Sequence, residues 1–136
     1  MSTEAKQTPN RLDFMPTRWS VGMCMEAIME EVHTAMTEQC PRNWSAVIWG
    51  LRDRRGNPMP FMSLPKAQKS QRGQPSVRVT FTKAAAIVQW STGHPQSSAL
   101  RRRFPTKGMP VADVARAITA WTVNAVNADA NSGLVS

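Results

Sequence analysis

An α+β domain follows from three observations. An amphipathic helical stripe lies near the N-terminus, a second lies near the C-terminus, and short β-patterned segments divided by turn residues fill the space between. The expected fold is therefore an N-terminal helix, an antiparallel sheet of three to four strands and a C-terminal helix. Each helical stripe needs a partner to bury it, so both helices are expected on one sheet face, leaving the other face to solvent. With 136 residues the chain has room for one domain and not two.

Residues 1–16 contain Pro9 and Pro16 and show no sustained periodicity, so a flexible arm is expected there, its last part pinned by Leu12, Phe14 and Met15. The body is expected over 17–128. From Ser20 to Gln39 the pattern turns helical. Val21, Met25, Ile28, Met29, Val32 and Met36 share one stripe, and Glu26, Glu30, Glu31 and Glu38 populate the other side. Ser20 suits the N-cap, and Pro41 stops the helix after Cys40.

Trp44–Arg52 is rich in β-branched and aromatic residues and reads as a strand, although neither of its faces is cleanly polar. Residues 53–58 supply a turn, and Pro60–Leu64 can return antiparallel. Residues 65–76 read as a basic loop. Ser76–Thr82 alternates strictly, with Val77, Val79 and Phe81 on one face and Arg78, Thr80 and Thr82 on the other. Ala84–Trp90 is ambiguous between strand and short helix, and its Ile, Val and Trp with the turn that follows favour strand. A loop is expected over 91–109. Pro110 suits a first helical position, and Val111, Val114, Ile118, Trp121 and Ala125 make the second stripe, running to about Asn127. A flexible tail is expected over 129–136.

Charge narrows the function. Seventeen Lys and Arg oppose nine Asp and Glu, for a net +8. Residues 1–43 are net −2, residues 44–109 net +11 with Asp53 their one acid, and residues 110–136 net −1. An excess that served only solubility would spread over the whole surface. Concentrated bases point to a polyanion, and neither helix has the basic polar face that lipid headgroups reward.

Three clusters carry this charge: Arg52, Arg54 and Arg55 in the first hairpin; Lys66, Lys69 and Arg72 in the second loop; Arg101, Arg102, Arg103 and Lys107 before the last helix. All of these except Arg52, together with Arg78, are the expected phosphate contacts. Lys and Arg that neutralise phosphates release counterions and give affinity largely independent of sequence. Phe104, between Arg103 and Pro105 in the expected loop, is the candidate stacking ring.

Catalytic groups are sparse. His33 reads as a plain surface histidine and His94 sits in a Gly-His-Pro turn. Glu26 and Glu30, at i,i+4, could bind a metal but read more simply as an exposed acidic helix face, no CxxC or Cys/His spacing suggests zinc, and no cofactor is expected. Cys24 and Cys40, sixteen residues apart on one helix, cannot bridge within it. Residues 1–11 lack an apolar stretch, and no apolar run approaches the ~20 residues of a bilayer span, so a cytoplasmic protein away from membranes is expected.

The order helix–three strands–helix, with Arg101–Arg103 and Lys107 just ahead of Pro110, is similar to the architecture of double-stranded-RNA-binding modules. That resemblance implies phosphate contacts near the second helix and recognition of A-form shape. Val111-Ala112-Asp113 departs from that family's basic helix start, and its Gly-Pro-x-His loop is missing. Small viral RNA-binding proteins with sheet-plus-helix folds offer an equally loose comparison, and the chain is assigned to no family. The expectation is a non-enzymatic nucleic-acid binder, RNA before DNA and with double-stranded RNA among the candidate ligands, as a homodimer or larger homo-oligomer. The alternatives are a viral coat or nucleoprotein subunit, and a phage- or plasmid-type protein docking on an acidic partner.

Overall fold

A computed structural model describes Met15 and residues 19–65, 73–93 and 99–132. Helix α1 (Val21–Gln39) precedes strands β1 (Phe61–Ser63), β2 (Ser76–Phe81), β3 (Ala85–Ser91) and β4 (Leu100–Pro105), and helix α2 (Val111–Ser132) follows. The strands form one antiparallel sheet in the order β1-β2-β3-β4, and both helices contact it. This is the α+β architecture read from the chain.

The two helices obey their apolar periodicity. Cys24, Ile28, Met29, Val32 and Met36 of α1 are fully buried, as are Val111, Ala115 and Ile118 of α2. Ser20 occupies the N-cap without a side-chain bond, its carbonyl accepting from the Cys24 N–H. Helix α2 continues to Ser132, beyond the expected end near Asn127 and into the stretch read as a tail. Of the N-terminal arm, Met15 packs into the core; the remainder of residues 1–16 lies outside the described residues.

Strand alternation decides what the helices cover. Val77, Val79 and Phe81 of β2, Val88 and Trp90 of β3, and Met62 of β1 are fully buried. Trp19 stacks on Phe81 with ring centroids 6.4 Å apart, and Trp44 meets Trp90 edge-on at 6.2 Å. The Trp44 indole N–H donates to the Cys40 carbonyl at 2.9 Å, which closes the end of α1 over the sheet.

Two expectations are corrected. Residues 44–52 form no regular strand. They run as an irregular outer arm beside β1, bridged at Ile48 to Phe61 and at Arg52 to Pro58, with Gly50 at φ +103 interrupting the extended backbone. Trp44 turns inward, whereas Ile48, Trp49 and Leu51 are exposed, which accounts for a segment with no cleanly polar face. The fourth strand is instead β4, inside the stretch expected to be a loop. Its register with β3 pairs Ala86 with Phe104, Ile87 with Arg103 and Gln89 with Arg101.

Cys24 and Cys40 are buried free thiols. The Cys40 thiol points to the Val123 carbonyl at 3.9 Å, a contact between the helices, and burial pushes its pKa up against a smaller opposing pull from Arg42. Because the thiolate is the reactive form, Cys40 should alkylate slowly at neutral pH and at full rate only in denaturant, measured by mass spectrometry of iodoacetamide-treated protein. Truncating the fully buried Phe81 to alanine should cost about 3–5 kcal/mol, read as a fall in the urea midpoint.

Candidate nucleic-acid interface

The helices cover one face of the sheet, so every second strand residue points from the other. Register sets Phe61, Arg78, Gln89 and Arg101 in one row across this open face, and Thr80, Ile87 and Arg103 in the next. Arg101 and Arg103 are exposed, while Arg78, Thr80, Ile87 and Gln89 are half-buried. A hollow of about 180 Å³ opens here, lined by Asp53, Met59, Arg78, Thr80, Ile87, Gln89 and Arg101. The Arg78 Nε is buried and finds no hydrogen-bond partner among the described residues. Such a donor costs free energy until something accepts from it.

Beyond the hollow stands the first hairpin. The Asp53 N–H donates to the Asn57 carbonyl at 3.0 Å, and the Gly56 N–H donates to the Asp53 carbonyl at 3.0 Å. Gly56 follows at φ +84, so the loop is a type I turn closed by a glycine bulge. The Asp53 carboxylate accepts from the backbone N–H of Arg55 and Asn57 and from the Asn57 side-chain amide, at 2.8–2.9 Å. These bonds, that of the Asn57 amide first, hold its pKa below the ordinary carboxylate value. Arg52 donates to the Gly56 carbonyl at 2.9 Å and is thereby engaged by its own loop, leaving Arg54 and Arg55 exposed at the tip.

The same end of the sheet carries two further bases. Lys83 is exposed in the β2–β3 turn. The Thr106 N–H donates to the Ala84 carbonyl at 3.0 Å, which sets exposed Lys107 beside that turn. Lys83 was missed in the sequence because an isolated lysine in an alanine-rich stretch forms no cluster. It became legible only when the register brought the turns together.

The triplet Arg101–Arg103 does not act as one loop cluster. On a strand it alternates, so Arg101 and Arg103 flank the open face and Arg102 lies on the helix side. There the Arg102 guanidinium sits 5.5 Å from the centre of the Phe104 ring. Phe104 itself is not the exposed stacking residue expected. It is 8% exposed and packs edge-on against Trp121 at 6.5 Å, because its pairing with Ala86 turns it into the core. Lys66, Lys69 and Arg72 of the second loop, and His94, lie outside the described residues.

His33 is also more than a surface histidine. Its Nε2 donates to the Ser45 carbonyl at 3.0 Å and ties α1 to the outer arm. Two larger hollows, of about 300 and 310 Å³, lie elsewhere. One, between the helices, contains Glu31, and the other, between α1 and the outer arm, contains Glu26 and Glu30 with Trp49. Arg116 offsets Glu31 in the first and no Lys or Arg lines the second, so of the three only the smaller hollow, with Arg78 and Arg101 against Asp53, has a net positive lining.

Among the described residues no group of three or more His, Cys, Asp or Glu could hold a metal ion, and no helix is long and apolar enough to cross a membrane. No protein-family model matches the chain, and neither a curated protein nor a solved structure shows significant similarity to it.

Because the folded-state pKa of Asp53 is depressed, its carboxylate stabilises the hairpin at neutral pH, and that support is lost as pH falls through the lowered value. Amide exchange followed by NMR should therefore show protection of the Arg55 and Asn57 amides failing in acid, below the ordinary carboxylate range. Asp53→Ala should remove that pH dependence.

Proposed function

We propose that this protein binds nucleic acid, RNA before DNA, mainly through the phosphate backbone. The observation that carries this reading is the division of charge by face. The open sheet face presents Arg78, Arg101 and Arg103, its near rim adds Arg54, Arg55, Lys83 and Lys107, and its one acid among the described residues, Asp53, is engaged by its own hairpin. Glu26, Glu30 and Glu31 stand on α1, against the opposite face. A polyanion approaching such a molecule is drawn to one side and turned by the other. Arg102 adds charge along the sheet edge, and Lys66, Lys69 and Arg72 belong to the β1–β2 connection. The role is one of binding rather than catalysis, and a cytoplasmic setting goes with it.

A specific observation favours a second reading, a subunit of a nucleoprotein assembly. Ile48, Trp49 and Leu51 are 42%, 44% and 39% exposed along the outer arm, and Leu100 is 44% exposed on the opposite edge. Light scattering separates the two, since regular large particles on addition of RNA support the assembly and a discrete small complex opposes it.

If about five phosphates are neutralised, affinity should fall several-hundred-fold between 50 and 200 mM salt. Replacing Arg101 and Arg103 together with alanine should weaken binding alike for all sequences and flatten the logarithmic salt slope by roughly two. Fluorescence anisotropy with a labelled RNA measures both. A salt-independent affinity would overturn the proposal.

A further inference from the structure

We infer that the hollow on the open sheet face seats one unpaired base, so that the preferred ligand is a single strand rather than a duplex. This rests on the nucleic-acid reading above and adds what the charge alone does not say.

The walls are of two kinds. Met59 and Ile87 supply apolar surface, whereas Thr80, Gln89, Arg78, Arg101 and Asp53, the last held by its own hairpin, supply polar groups. A site built only for phosphate has no use for the apolar part, and a duplex keeps its base faces stacked inside the helix, out of reach of a sheet. An unpaired base offers what this lining matches: a flat apolar face and an edge of hydrogen-bond acceptors and donors. Size agrees. At about 180 Å³ the hollow is smaller than the roughly 300–1,000 Å³ clefts that enclose whole small molecules. It admits one planar ring and leaves sugar and phosphate outside.

The polar groups are placed for such a ring. Arg78 and Arg101 flank Gln89 in one row, so two guanidinium groups approach from opposite sides across about 10 Å of sheet. Arg78 and Arg101 bring guanidinium N–H donors to a base carbonyl or ring nitrogen. Gln89 offers both an N–H and a carbonyl, and Thr80 a hydroxyl. Arg103, one step along the strand from the hollow and exposed, meets the phosphate next to the seated base.

The test uses the full chain and four labelled twelve-nucleotide probes: a mixed-sequence single-stranded RNA, its duplex, single-stranded oligothymidine, and an abasic strand of the same length. The abasic strand keeps every phosphate and loses every base. At equal salt the two base-bearing single strands should bind roughly tenfold or more tighter than both the duplex and the abasic strand. Thr80→Phe, which fills the hollow without altering charge, should erase most of that difference and leave the salt slope unchanged. Gln89→Leu, a gentler change, should erase part of it, with thermal melting to verify that both variants remain folded. Equal binding of abasic and base-bearing strands, or duplex bound as tightly as single strand, would overturn the base site while leaving the phosphate reading standing. Binding of none of the four would overturn both.

Discussion

The sheet has one buried side, and nearly everything else in the molecule answers to that constraint. Val77, Val79, Phe81, Val88 and Trp90 can leave water only by facing the two helices, and the pleat then forces Arg78, Thr80, Ile87 and Gln89 the other way. A slip of one residue in β2 would bury Arg78 and expose Val77, Val79 and Phe81. The burial that holds the fold together therefore also positions the candidate interface. The helices complete the arrangement by carrying the acidic residues on the far side, so packing and polarity have one origin.

Segments whose pattern matched a single environment were legible in the chain. α1, α2 and β2 each repeat at one period, and their buried residues are largely the expected ones. β3 was also reachable, because Ile87, Val88 and Trp90 suit a pleated surface better than a short helix. β4 was not, since three consecutive arginines hide any alternation from hydropathy. Its strand character comes from pairing with β3, a contact distant in sequence. The outer arm failed for the opposite reason. Trp44–Arg52 has strand-like composition, yet Gly50 and the inward turn of Trp44 break it into isolated bridges.

The candidate site divides along the same line. Arg78 was placed on the polar face by local alternation alone. Arg54 and Arg55 were placed at the tip of a turn by Asp53 and Gly56. Phe104 was misread because a ring among arginines resembles a stacking residue until the register turns it inward. Gln89, Thr80, Met59 and Ile87 have no distinguishing local signal. They acquire meaning only as neighbours around a hollow that four separated segments build together.

β4 is also an edge strand, with one row of backbone N–H and C=O groups facing outward. Such an edge is a template for another strand, and arginines along it are a common defence. Two copies meeting edge to edge would bring Arg101, Arg102 and Arg103 against their own kind. That repulsion disfavours extension of the sheet into a second molecule. It is, however, a barrier made only of charge, and a bound polyanion cancels charge. Were the proposed polyanion bound, the same three side chains would couple solubility to occupancy: empty, they disfavour contact between copies, and neutralised, they would leave an open edge beside an exposed Leu100.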